Sequence, residues 1–202
     1  MKDIKLENEE KLIAQKNYDD IVEKLNKQKY TSLFEERKRI SKLFSSMKIK
    51  KPIEEVYNAF LQISLDDMNP NLKNLVLEEG SWYRSSKKNN NNIFKLEKLV
   101  ENKEISITWA IKNQLFIKSV KFRSNSSNKI TKITYFDFAK GDTSIMGFFE
   151  RHILSVYLKK QFLAFRVQVY KTKLLLNLYK PAKVVIVNKK IDKLLEYIKN
   201  II

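Results

Sequence analysis

Few residues in this chain have the types and spacing that chemistry needs. There is one histidine, His152, and no cysteine. A lone imidazole can act as a general base or a proton switch. A triad or a metal site needs further partners, and the chain offers neither a second histidine nor a thiolate. The absence of cysteine also excludes disulfides and cysteine nucleophiles. No glycine-rich phosphate loop, paired-histidine metal motif or nucleophile elbow occurs. His152 therefore reads as a surface or boundary residue. The sequence predicts no catalytic residue, no metal and no cofactor.

What remains is chemistry of binding. Trp82, Trp109, Phe116 and Phe136 fall in strand-like runs, where aromatics either fill a core or line an apolar pocket. Ile153, Val156 and Ala164 share a stripe of a long helical segment, and Lys160 falls within that stripe. A buried lysine is costly unless paired. It can meet the acidic head of a ligand, pair with Asp137, or send its stem to water. These eight residues are the candidate ligand-binding set.

The element that must position them is the segment from Asp142 to Leu176. Asp142, Thr143 and Ser144 are good helix caps after Gly141, and Pro181 ends the helix soon after Tyr179. At 100° per residue, one apolar stripe holds Phe149, Ile153, Val156, Tyr157, Leu163, Ala164, Val167, Tyr170 and Leu174. A roughly opposite stripe holds Leu154, Leu158, Phe162, Phe165, Val169 and Leu176. The first is expected to face a sheet. The second then needs its own cover, either a terminal helix or a second copy in a homodimer, because so large an apolar patch does not face water.

Before this helix come short alternating runs. Residues 39–49 read as a strand, 52–63 as a helix opening at Pro52, and 73–77 as a further strand. Strands follow at 81–86, 93–100, 104–111, 114–123 and 129–139, with Lys112 and Asn113 as a two-residue turn and residues 87–92 as a polar tip. Short turns imply antiparallel pairing. The fold class is α+β: an antiparallel sheet curled around a long C-terminal helix, with extra helices at both termini. Three parts are expected: a helical extension over 1–38 with its helix at 4–28, a core domain over 39–178, and a basic tail over 179–202 with a terminal helix.

The net charge is +17, unevenly placed. Residues 1–38 hold nine basic and nine acidic residues, whereas 150–202 hold twelve basic and three acidic. The basic C-terminal half suits an anionic surface, nucleic acid or membrane. Lysine far outnumbers arginine, and Lys, Asn and Ile are all abundant, so compositional drift accounts equally well for the charge. The N-terminus is too charged for a signal peptide and no run approaches a membrane span. A cytoplasmic protein is expected.

The run SSMKIKKPIEEVYNAF, residues 45–60, and the strand ITYFDFAKGDTSI leading into the long helix resemble the helix-grip superfamily of START lipid-transfer domains, polyketide cyclases and birch-pollen-allergen-like proteins. Bacterial members of unknown function look most similar. The resemblance covers about Lys42 to Leu176, and both terminal extensions depart from it. It implies a cavity between sheet and helix. The function expected is non-enzymatic binding there of an apolar or amphipathic small molecule, such as a lipid. The alternative is an interaction protein that uses its basic surface on nucleic acid or anionic membrane and holds no small ligand.

Overall fold

The computed structural model describes residues 4–85, 93–142 and 148–200; among these it describes all side chains except those of Lys73 and residues 148–155. The polar tip at 87–92 and the caps Thr143 and Ser144 lie outside the described residues. Eleven named elements carry the fold. Helices α1 (Asn8–Lys27) and α2 (Leu33–Arg37) precede strand β1 (Ile40–Ile49) and helix α3 (Ile53–Met68). Strands β2 (Trp82–Arg84), β3 (Ile93–Val100), β4 (Glu104–Ile111), β5 (Gln114–Ser124) and β6 (Thr131–Gly141) follow. Helices α4 (Phe148–Leu175) and α5 (Pro181–Asn200) end the chain.

The six strands form one antiparallel sheet in the order β1-β6-β5-β4-β3-β2. The four strands from β3 to β6 are a plain meander, as their short turns require. Lys112 and Asn113 both adopt positive φ, the backbone of a tight two-residue hairpin turn. β1 pairs with β6 over ten residues, from Ile40↔Lys140 to Ile49↔Thr131. At the other edge, Leu6 N–H donates to the Trp82 carbonyl at 2.9 Å and Arg84 N–H to the Ile4 carbonyl at 2.8 Å. Residues 4–6 thus extend the edge strand, and the N-terminal helix starts at Asn8 rather than residue 4.

The segment at 73–77 is not a strand. Asn69 caps a tight 3-10 turn at Pro70–Asn74, its side chain accepting from Asn71 N–H. The chain then stays irregular up to β2, with Val76 85% exposed. Alternation alone does not make a strand where no neighbour pairs with it.

One face of the sheet, the inner face, carries Tyr83, Phe94, Leu96, Ile105, Val120, Phe122, Ile133 and Tyr135. They pack on α3 through Val56, Tyr57 and Phe60 and on α4 through Phe165 and Val169. Both neighbours of Ile133 and Tyr135 along the strand therefore turn outward; both faces of β6 carry large apolar residues, so alternation by itself does not choose between them. Phe165 stacks on Tyr135 with ring centroids 5.0 Å apart.

Toward its C-terminal end the two stripes of α4 are exchanged relative to expectation, while Tyr157 of the first stripe does reach the sheet, at Asp137. Phe165, Val169 and Leu176 face the sheet and α3. Val167, Tyr170 and Leu174 face α5, against Val187, Ile191, Leu194 and Ile198. The helix is covered on both sides, so periodicity carried no information about which stripe met the sheet. A terminal helix from the same chain does cover α4, but on the stripe expected to face the sheet; Phe165 and Val169, of the stripe expected to need a cover, are buried against the sheet and α3 instead. The turn between them uses Asn177 at positive φ, with Leu178 N–H bonded to the Lys173 carbonyl, a left-handed helix stop. α1 takes another place: it lies on the outer face of the sheet, over β4 and β5, with Leu6, Ala14 and Tyr18 against Trp82. No helix among the described residues is long and apolar enough to cross a membrane.

Candidate functional site

A cavity of about 390 Å³ lies between the inner face, α3, α4 and α5. Each wall has a simple origin. β4 supplies Ile105 and Ile107 and β5 supplies Val120 by strand alternation. α3 supplies Phe60, Ser64, Asp67 and Met68, one face of a helix at i, i+4, i+7 and i+8. α4 contributes Gln161, Ala164, Phe165 and Gln168, and Leu195 and Ile198 of α5 close the remaining side.

One end of the cavity is polar. Lys118 and Tyr135 border it, and both reach Asp137, which is 1% exposed. Tyr135 Oη donates to Asp137 Oδ2 at 2.8 Å and Tyr157 Oη to Oδ1 at 3.4 Å. Lys118 Nζ stands 3.7 Å from Oδ2. A carboxylate this deep requires such partners, since an unpaired buried charge costs several kcal/mol. Burial drives both phenols well above the ordinary tyrosine range, and the adjacent Asp137 charge adds to it. They therefore keep their protons and serve as donors. Lys118 Nζ also donates to Gln161 Oε1 at 2.8 Å. An ammonium only donates, so it fixes the amide with its oxygen toward Lys118. The Gln161 amide N–H groups are left to face another acceptor. At the α3 side, Asp67 pairs with Lys171 at 2.6 Å.

The eight residues expected to bind a ligand do not come together. Ala164 borders the cavity. Trp109 and Phe116 stand on the inner face, stacked at 5.1 Å and 7°, beside Lys118 but outside the cavity lining. Val156 and Lys160 are half-buried on α4 and do not border it. Trp82 points the other way: it is 1% exposed under α1, its indole N–H donating to Gln15 Oε1 at 3.1 Å. Phe136 also points outward, against Phe44 and Phe138. The side chains of Ile153 and His152 lie outside those described. The cation that meets Asp137 is Lys118, not Lys160.

Three polar residues of the cavity wall, Lys118, Gln161 and Gln168, are not among the eight expected to bind a ligand. Lys118 shares a strand face with Phe116, Val120 and Phe122, and an ionisable residue on such a face was a usable signal. Gln161 and Gln168 belong to neither apolar stripe of α4. They border the cavity instead, because a helix facing an empty volume need not present apolar groups to it.

Among the described residues no group of three or more histidine, aspartate or glutamate side chains is placed to hold a metal. No family model matches the chain, and no curated protein matches it. Solved structures similar to it include CalU16 from Micromonospora echinospora, 9% identical, with TM-score 0.45 over 79% of this chain and 88% of that one. A protein of unknown function from Staphylococcus aureus is 14% identical, with TM-score 0.46 over 68% and 95%. Protein MLL2253 from Mesorhizobium loti is 13% identical, with TM-score 0.46 over 69% and 99%. Likenesses of this degree carry no argument about what the chain does.

Proposed function

We propose that this protein binds an amphipathic small molecule in the cavity beneath α4. The observation that carries the reading is the cavity itself: about 390 Å³, mostly apolar, with one polar end. That volume falls in the lower part of the range for small-molecule sites, roughly 300–1,000 Å³. The resemblance to helix-grip proteins supports the same place. The apolar body of the ligand lies among Ile105, Val120, Phe165 and Ile198. Its polar group meets Gln161, whose oxygen is engaged by Lys118, which leaves the amide NH2 group as the donor it can offer. A carbonyl, ether or hydroxyl oxygen satisfies that donor.

Native mass spectrometry of the purified protein, with an anilinonaphthalene sulfonate probe in parallel, tests this. A retained molecule that leaves on denaturation is the expected result, and Ala164→Phe should weaken probe binding at least several-fold while the helical signal stays unchanged. A protein that carries nothing, and whose probe binding ignores Ala164→Phe, overturns the reading.

A further inference from the structure

The outer face of the sheet is covered over only part of its width. α1 lies over β4 and β5, where the outward residues Ser106, Thr108 and Ser119 are buried. The strands β1 and β6, and the adjoining ends of β5, are not covered by α1; α2 touches β1, and Tyr30 lies over Lys140 at the end of the face away from Lys48. Their outward side chains form rungs fixed by register. Lys48, Lys132 and Arg123 form one rung. Ser46, Thr134 and Lys121 form the next, then Phe44, Phe136 and Ser119, then Lys42, Phe138 and Ile117.

Two features of this ladder ask for an anionic partner. First, the end rung sets three cations directly across two strand pairs. Like charges so placed destabilise a sheet. Among the described residues none of the three pairs with a carboxylate. Second, Asp137 is the only acid in β1, β5 or β6, and it faces inward. Glu104 of β4, outward opposite Lys121, is engaged by Lys121 and Lys98, and Asp142 just beyond β6 is engaged by Lys24.

Two rungs further on, the same face is aromatic. Phe44 is 68% exposed, and its ring centroid lies 4.7 Å from that of Phe136. Phe136 stacks on Phe138 at 6.3 Å, and Lys42 Nζ stands 5.9 Å from the Phe138 ring. A ring exposed to this degree, as Phe44 is, can stack on a planar partner. Base faces fit such rings, and they are free only in an unpaired strand.

We infer that the open half of this sheet face binds single-stranded nucleic acid. Bases stack on Phe44 and Phe136, and phosphates lie against Lys48, Lys132 and Arg123. Successive outward rungs are about 6.7 Å apart, so the cationic rung stands about 13 Å from the aromatic one. A short run of nucleotides spans that distance. The face is on the opposite side of the sheet from the cavity, so the two readings stand or fall separately.

Polarisation of fluorescein-labelled oligothymidylate and oligouridylate with the full chain tests the inference. Phe44→Ala should lower affinity roughly 5- to 150-fold, the effect of losing one stacked base. With three phosphate contacts, log affinity should fall with log salt at a slope of about −2, and Arg123→Ala should reduce that slope by about 0.7. Lys183→Ala, on the exposed side of α5, removes the same charge elsewhere and should change affinity little. Phe44 and Lys183 are exposed, so both variants fold, and circular dichroism verifies it. Four outcomes overturn the inference: no oligonucleotide binding, equal binding of a duplex, indifference to Phe44→Ala, or equal loss on Lys183→Ala. Binding to phosphatidylserine vesicles without oligonucleotide binding would likewise overturn it and assign the face to a membrane.

Discussion

The two terminal helices each cover a surface the central domain leaves bare, and they use different materials. α5 covers α4 with aliphatic groups: Val187 and Ile191 are buried against Val167, beside Tyr170, Leu174, Leu194 and Ile198. α1 covers the sheet over small hydroxyl residues, Ser106, Thr108 and Ser119. Its apolar cluster is small, Leu6, Ala14, Tyr18, Trp82 and Ile93, with Leu25 of α1 buried as well, and it adds specific hydrogen bonds. Tyr18 Oη and Thr108 Oγ1 are 3.2 Å apart, and Gln15 accepts from the Trp82 indole. Arg84 with Glu10 and Lys24 with Asp142 bridge at the margins. An aliphatic contact is strong and indifferent to detail. A contact over hydroxyls is close and sensitive to each partner.

The largest test of that contrast is deletion. Removing residues 180–202 exposes Val167, Tyr170 and Leu174 and opens the cavity wall at Leu195 and Ile198. With about 1.5–3 kcal/mol for each large side chain, the loss is on the order of 10 kcal/mol, comparable to a whole domain's stability. The truncated chain should aggregate or bind anilinonaphthalene sulfonate non-specifically. A soluble truncation with an unchanged melting temperature would break the comparison.

Point substitutions in the α1 contact come next. Trp82→Ala should cost about 3–5 kcal/mol, because the ring is fully buried between α1 and the sheet. Tyr18→Phe removes only the bond to Thr108 and should cost about 0.5–1.5 kcal/mol in urea unfolding. If Tyr18→Phe were neutral, the hydrogen bonds of this contact would be incidental and the two helices would differ only in area.

The smallest effect is one of pH, and its sign differs between the α1 contact, at Tyr18, and the α4–α5 contact, at Tyr170 of α4. Burial raises the Tyr18 phenol, against the Thr108 hydrogen bond. Its contribution is fully present below the unfolded value of about 10 and is lost as pH rises through the folded value. Burial also pushes Tyr170 up, but the Arg166 and Lys190 hydrogen bonds and charges outweigh it and the net shift is downward. Its contribution is present above about pH 10 and is lost as pH falls through the folded value. Phenolate absorbance should therefore show Tyr170 ionising before Tyr18. Tyr170→Phe should steepen the alkaline loss of stability and Tyr18→Phe should soften it. The reverse order would sink this distinction.

Element types were largely legible in the sequence, because the strands alternate and the helices have caps and breakers. Ile105, Ile107, Trp109 and Ile111 share a face as alternation requires. Orientation was legible only where one face is apolar and the other polar. β6 has Ile133 and Tyr135 inward and Phe136 and Phe138 outward, and α4 is apolar on two sides. In both, the deciding facts are which neighbour lies where, and those are long-range. The cavity was harder still. An empty volume leaves no periodicity, and its polar end is assembled from Lys118, Asp137 and Gln161 on three elements. Only Asp137 was singled out beforehand, with a different lysine.

The pairing of β1 with β6 has a consequence for the order of events in synthesis. Among the described strands β1 leaves the ribosome first, yet the strand it pairs with begins about 80 positions beyond its end, at Thr131 opposite Ile49. At roughly 5–20 residues per second, β1 waits about 4–16 s before it can pair. The meander from β3 to β6 needs only local turns and can zip as it emerges. During that wait Phe44, Met47 and Ile49 are without a sheet. A nascent chain of this protein is therefore most exposed to misassembly at its oldest strand, and a holdase that grips a newborn polypeptide would find its substrate there.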